Sequence, residues 1–228
     1  MGYNMNTDQF TGRTQAYVKA RPSYPNEAME YIYNLAPPNA VFADVGAGTG
    51  KFTELLARYG NEILAVEPNN DMREQLILTL APFPNTKIFD GTAEVTKLPD
   101  KSVDIIVCAQ SLNKFDIEAF RVECQRISKS NPFVITLWNN EQGEKYGNYS
   151  KSTNALYKNP IIREFPNPVY YTRDNWVMYH TSMAGVPMEF EQGHEAYMAK
   201  FIEIFDRDNV DGVYRHDFVT VVYSEKLD

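Results

Sequence analysis

The chain has 228 residues, 43% of them hydrophobic, enough to bury a substantial core as one domain with insertions rather than two independent units. Its formal net charge is -8, and 30 acids outnumber 22 scattered Lys and Arg, which excludes the basic surface that a nucleic-acid backbone requires. Two cysteines, Cys108 and Cys124, support neither a disulfide framework nor a metal cluster, and no apolar run approaches bilayer length.

The polar start, Met1 to Gln9, lacks an apolar core or cleavage pattern, so a soluble, cytoplasmic protein is expected. Pro25 to Leu35 reads as a helix, broken by Pro37-Pro38-Asn39 before a first strand that begins at Val41. Phe52 to Tyr59 continues helically behind a glycine-rich turn and stops at Gly60. Ile63 to Val66 is a second strand, Asp71 to Leu80 a helix ended by Pro82 and Pro84, and Lys87 to Phe89 a short third strand. Asp104 to Cys108 is the fourth strand, Glu118 to Ile127 a helix, and Phe133 to Trp138 the fifth strand. Such alternation predicts an α/β fold of parallel units with right-handed crossovers and a ligand at the carboxyl ends of the central strands.

After Asn139 the pattern changes. Glu141 to Tyr149 is polar, and Pro160, Pro166 and Pro168 are read as interrupting anything regular, so 140–200 is the expected substrate cap. Within it Asn167-Pro168-Val169-Tyr170 reads as a proline-rich loop. Arg173 to Ser182 and Glu195 to Arg207 are expected helices around a break at Gly185-Val186-Pro187. Gly212 to Glu225 alternates as a closing strand or hairpin.

The most informative segment is Asp44-Val45-Gly46-Ala47-Gly48-Thr49-Gly50, where a strand feeds a turn that can bring bare backbone up to a ligand. Its glycine spacing differs from the G-x-G-x-x-G of dinucleotide sites. A carboxylate at Asp44 is expected to repel a phosphate and to attract an ammonium or sulfonium group. Glu67, about twenty residues on, sits where a Rossmann-type unit holds ribose hydroxyls, a spacing that NAD would fit equally well.

These residues resemble the first motif of the class I S-adenosylmethionine-dependent methyltransferases. Gly91-Thr92-Ala93-Glu94 with Leu98-Pro99 is similar to the family's adenine-contacting turn, and Asp104 to Ser111 to its fourth strand and the edge of the methyl-transfer pocket. Phe10-Thr11-Gly12-Arg13, Tyr17 and Ala20-Arg21-Pro22-Ser23-Tyr24-Pro25 resemble the opening of a small-molecule subgroup of the methyltransferase type 11 kind, which includes trans-aconitate and ubiquinone or menaquinone pathway types. The resemblance implies a Rossmann-like, mostly parallel seven-stranded sheet with an antiparallel last strand, a small helical cap, and cofactor-covering helices in 1–36 of a single 1–228 domain. It implies S-adenosylmethionine as cofactor, held by Tyr17, Arg21, Asp44, Gly46, Ala47, Gly48, Gly50, Glu67, Pro68, Met72, Thr92, Ala93, Glu94, Gln110 and Ser111. A guanidinium at Arg21 suits the methionine carboxylate.

The acceptor is expected to be a small molecule, with neither nucleic acid nor membrane as partner, and the protein a monomer or homodimer. In-line methyl displacement works largely by alignment, and a base is needed only for a hydroxyl or protonated amine. Relatives often carry histidine and tryptophan where this chain has Asn113-Lys114 before Phe115-Asp116, so an acceptor cannot be copied from them. The usual Lys-Pro-Gly-Gly turn is replaced by Lys129-Ser130-Asn131-Pro132. His180 is the best cap candidate for catalysis, whereas His194 and His216 lack metal-ligand spacing, and no metal is expected. An NAD-linked oxidoreductase and an inactive S-adenosylmethionine-binding protein remain the alternatives.

Overall fold

The structure is a computed structural model that describes residues 14–141, 150–183, 185–187 and 189–228, apart from the side chains of Thr14, Gln15, Tyr17 and Ser150. Helices α1 (Thr14–Ala20) and α2 (Asn26–Leu35) precede β1 (Phe42–Val45), α3 (Lys51–Ala57), β2 (Ile63–Val66), α4 (Asn70–Leu80) and β3 (Thr86–Phe89). Strand β4 (Ile105–Ala109), α5 (Ile117–Ile127) and β5 (Phe133–Glu141) complete the parallel part. Then come α6 (Ser150–Leu156), β6 (Ile161–Tyr171), α7 (Arg173–Thr181), α8 (His194–Asp208) and β7 (Tyr214–Lys226).

The described residues form one seven-stranded sheet ordered β3-β2-β1-β4-β5-β7-β6. Strands β1 and β2 are wholly buried apolar runs apart from Asp44, as expected of central parallel strands covered on both faces. On one face Phe120, Cys124 and Ile127 of α5 join Leu156 of α6. On the other, Ala28, Met29 and Ile32 of α2 join Phe52 and Leu56 of α3. Cys108 and Cys124 are both buried and free, and burial raises both thiol pKa values. Helix α2 is therefore a layer packed on the sheet core. The anticipated opening motif at 10–13 lies outside the described residues.

The expected proline-rich loop is instead part of a strand. β6 pairs antiparallel with β7 from Ile161 opposite Ser224 to Tyr171 opposite Tyr214, with Pro166 opposite Val219 and Pro168 opposite Asp217. The two prolines are two residues apart, so their missing N–H groups fall on the same side of the strand. On an edge strand that side can face outward without breaking the ladder. Residues 161–171 of the expected cap thus belong to the sheet. The remaining C-terminal helices, α7 and α8, pack Trp176, Tyr179 and Phe205 against Tyr171 and Phe218 and against Ala20 of α1.

Candidate functional site

Over the carboxyl ends of β1, β2 and β4 lies a cavity of about 470 Å³, within the range typical of small-molecule sites. Gly46 and Gly48 line it, and both adopt left-handed backbone (φ +75° and +58°). A Cβ on Gly46 would stand 2.6 Å from Ser111 Cβ, so only glycine lets the β1 turn nest against the chain leaving β4. The nest is tied down by Ser111 Oγ donating to Val45 O at 2.8 Å and by Gly46 N–H donating to Val66 O at 2.9 Å.

The remaining turn residues do different work. Ala47 packs with Ala65, Leu76 and Leu80, and a Cβ on Gly50 would meet Leu76 Cδ1 at 2.8 Å, so these two positions set the approach of α3 to α4 behind the cavity. Asp44 is also behind it. Its carboxylate is fully buried, Oδ2 accepts from Thr53 Oγ1 of α3 at 2.6 Å, and Oδ1 has no hydrogen-bond partner among the described residues. Burial, with the Glu67 charge adding to it, pushes Asp44 up to about 7, so near neutrality it is only partly ionised. The expectation that Asp44 presents a full negative charge to a cationic donor is thereby corrected: Thr53 draws it under the turn.

Glu67 is the acid on the cavity wall. It is 7% exposed, its Oε2 accepts from Gly48 N–H and its Oε1 from Asn69 N–H, both at 2.8 Å. Burial raises its pKa against these two bonds and the Lys114 and Arg73 charges. A carboxylate has about four acceptor positions, so capacity remains for two ligand hydroxyls. Pro68 and Met72 continue this wall, and Asn69 Oδ1 caps α4 by accepting from Met72 N–H at 3.0 Å.

Thr92, Ala93 and Glu94 line the cavity from the turn after β3. A Cβ on Gly91 would lie 2.3 Å from Thr96 O, which explains the glycine that opens the turn. Gln110 and Ser111 also line the cavity, and Gln110 holds φ +60°, an uncommon value for a residue with a side chain. Asn69, which the sequence analysis does not name, and Asn113, Lys114, Phe115 and Asp116, which it names only as a departure from relatives, also line the cavity, together with Ala109 at the end of β4. The signal available was position, because four of them follow β4 directly. Burial lowers Lys114 to about 8, with the Glu67 charge opposing that shift and the Arg21 charge adding to it.

Arg21 is not among the lining residues. Its Nε donates to Ser182 Oγ at 2.8 Å and its guanidinium to Ser182 O at 3.1 Å, joining the end of α1 to α7, while Lys51 Nζ donates to Arg21 O at 2.7 Å. The side chain of Tyr17 lies outside the described residues. His180, on α7, is buried in an aromatic cluster and is not among the residues lining this cavity. Among the described residues no group of His, Cys, Asp or Glu could hold a metal ion, and no helix is long and apolar enough to cross a membrane.

Residues 43–136, spanning β1 to β5, match the family described as a methyltransferase domain. That match covers less than half of the chain, and over it the chain is similar to methyltransferase domains. Uncharacterized methyltransferases of Mycobacterium tuberculosis and a methyltransferase-like protein of Schizosaccharomyces pombe are each 35% identical to it, over 130 and 126 residues. Those alignments cover 57% and 54% of this chain and 51% and 48% of the relatives, so the match spans about half their length. A solved structure from Anaeromyxobacter dehalogenans, named as a candidate type II methyltransferase, superposes with a TM-score of 0.67 at 18% identity, covering 90% of this chain and 97% of that one. An S-adenosylmethionine-dependent methyltransferase from Geobacter sulfurreducens, solved with S-adenosylhomocysteine, gives 0.57 at 10% identity over 96% and 98%. The described residues thus have the expected mostly parallel seven-stranded sheet with β7 antiparallel to its neighbours.

Proposed function

We propose that the chain transfers a methyl group from S-adenosylmethionine to a small-molecule acceptor. The observation that carries this reading is the convergence of Gly46, Gly48, Glu67, the Thr92, Ala93 and Glu94 turn, and Gln110 with Ser111 on one cavity inside a matched methyltransferase domain. Glu67 would take ribose hydroxyls through its remaining lone pairs. Pro68, Met72 and the Thr92 turn would hold the adenine side, and Gln110 with Ser111 the space beside the methyl group. Arg21, bonded to Ser182, is better suited to joining α1 to α7 than to gripping the methionine carboxylate.

When bound, the sulfonium supplies an electrophilic methyl carbon on an already activated leaving group. The chain's own contribution is alignment, through a turn whose amides are held rigidly by Val66 O and Ser111. A carboxylate acceptor needs no base. For a hydroxyl or an amine, Lys114 Nζ is a cavity-wall group with a pKa close enough to neutrality to take the proton.

Calorimetric titration with S-adenosylhomocysteine beside NAD tests the reading. Saturable binding of the former is expected, weakened about 10- to 100-fold in Glu67→Gln, as befits loss of charged hydrogen bonds. Binding of NAD alone would overturn it. Tight binding without methyl transfer from labelled cofactor to any of a panel of carboxylic acids, phenols and amines would instead identify a binding protein.

A further inference from the structure

Among the described residues that line the donor cavity, Lys114 is the only cation. The three acids on the same wall are each tied to backbone amides. Glu67 accepts from Gly48 and Asn69 N–H, Glu94 Oε1 from Asp116 N–H at 2.9 Å, and Asp116 Oδ1 from Glu118 and Ala119 N–H, both at 3.1 Å, as the cap of α5. Lys114 is placed by a single 3₁₀ turn, Leu112–Lys114, that follows Gln110 and Ser111. Leu112 is fully buried in the sheet core, Phe115 is edge-on to Phe120 at 5.1 Å, and Lys114 N–H donates to Ser111 O at 3.0 Å, so the turn is fixed from both sides. The lysine is thus carried on a rigid element beside the pair assigned to the space next to the methyl group.

The fold gathers further positive charge behind it, in a chain whose net charge is -8. Lys51 Nζ, at the start of α3, donates to Arg21 O at 2.7 Å, and the Arg21 charge acts on both Lys51 and Lys114. The Arg21 guanidinium is itself turned onto Ser182, so it contributes field and not contact. Burial lowers Lys114 to about 8, with Glu67 opposing that shift and Arg21 adding to it, so near neutrality the ammonium persists in surroundings that do not fully compensate it. A bound anion would supply the missing charge.

We propose that the methyl acceptor carries a single carboxylate, which the Lys114 ammonium anchors with the side-chain amides of Gln110 and Asn113 on the same cavity wall. The inference rests on the methyl-transfer reading above, and it settles which role Lys114 plays there: a cation that orients an anion, not an amine that removes a proton. One positive charge meets one negative charge, and the amides can donate to the same oxygens. A phosphate is disfavoured, because its nearly double charge would face Glu67, Glu94 and Asp116 with one lysine to offset them.

The test titrates the full chain, saturated with S-adenosylhomocysteine, with benzoate and butyrate beside the neutral benzamide and butyramide and the more highly charged phenyl phosphate. Saturable binding of the two acids is expected at pH 7, at least about tenfold tighter than of their amides, with phenyl phosphate weaker than benzoate. Lys114→Met, with S-adenosylhomocysteine raised until it too is saturated, should lose the preference for acid over amide, and Lys114→Arg should retain most of it. A lysine with a merely structural role would weaken acid and amide alike. From pH 7 to pH 9 the benzoate affinity of wild type should fall about tenfold as Lys114 loses its proton, a fall that Lys114→Met should not show. No saturable binding of either acid, equal binding of acid and amide by wild type, an acid preference that survives in Lys114→Met, or phenyl phosphate binding tighter than benzoate would overturn the proposal. Failure of wild type to bind S-adenosylhomocysteine would overturn the donor reading instead, and a Lys114-dependent acid preference in the donor-free chain would still support the anion site.

Discussion

The two ends of the molecule treat buried polarity in opposite ways. In the donor cavity Glu67, Asn69 and Ser111 are each engaged by the backbone, so the wall is pre-organised before any ligand arrives. In the aromatic cluster neither ring nitrogen of His180 has a hydrogen-bond partner among the described residues. The difference teaches that backbone hydrogen bonds can pre-organise the polar wall of a cavity, whereas aromatic packing can bury a polar ring without engaging it. Asp44 Oδ1, unpaired beneath the donor turn, is the exception on the donor side.

The sharpest way to break that contrast is to disturb the pre-organised turn. Gly46→Ala forces a Cβ against Ser111 at left-handed φ, and a loss of about 3 kcal/mol is expected from combined strain and overpacking. Melting should drop by roughly 6–12 °C, with donor affinity reduced at least about tenfold. Gly60→Ala, also at positive φ but with no atom near its Cβ, should cost about 1 kcal/mol and leave donor affinity intact. Equal losses in the two variants would mean that the nesting contact contributes nothing.

The next prediction separates the ends by pH. Asp44 rises from 3.8 to about 7 on folding, so between those values the folded protein keeps a proton that the unfolded chain has released, and stability falls as pH rises through the window. His180 drops from 6.5 to about 3, so there the unfolded chain binds the extra proton, and stability falls as pH decreases through that window. The stability of Asp44→Asn relative to wild type should therefore improve from pH 4 to pH 7, and that of His180→Phe should improve from pH 6.5 downward. Each change should reach about 2 kcal/mol or more at the far end of its window, read from denaturant titrations at a series of pH values. Parallel slopes for the two variants would refute this assignment of the buried charges.

The smallest effect is expected at the joint between the two ends. Ser182→Ala removes the hydroxyl that accepts from Arg21 Nε and should cost about 1 kcal/mol, a fall of roughly 2–4 °C, with S-adenosylhomocysteine affinity held within about twofold. A tenfold loss of that affinity would move Arg21 into the donor site, as the sequence resemblance implies.

Much of this was legible beforehand for identifiable reasons. Central strands are short apolar runs punctuated by glycine and proline, and β1 through β5 fall where those runs are, although β5 continues through Asn140 to Glu141 because β7 pairs along its whole length. β6 was hidden by its own prolines, which an edge strand accepts and an interior strand would not. Glu67 and Asp44 look alike in one dimension, each an acid at or near the end of an apolar run. Only the packing of Thr53 against one and the opening of the cavity onto the other tells them apart.

What the amino-acid order determined by itself was the alternation of strand and helix and the glycines at the first turn, because hydrophobic periodicity and backbone freedom are local properties. What only the tertiary structure decided was that Glu67 rather than Asp44 lines the cavity, that Lys114 enters the cavity wall, and that His180 is buried in an aromatic cluster with no hydrogen-bond partner among the described residues. Those outcomes depend on burial and on partners distant in sequence, and desolvation is a property of the assembled fold.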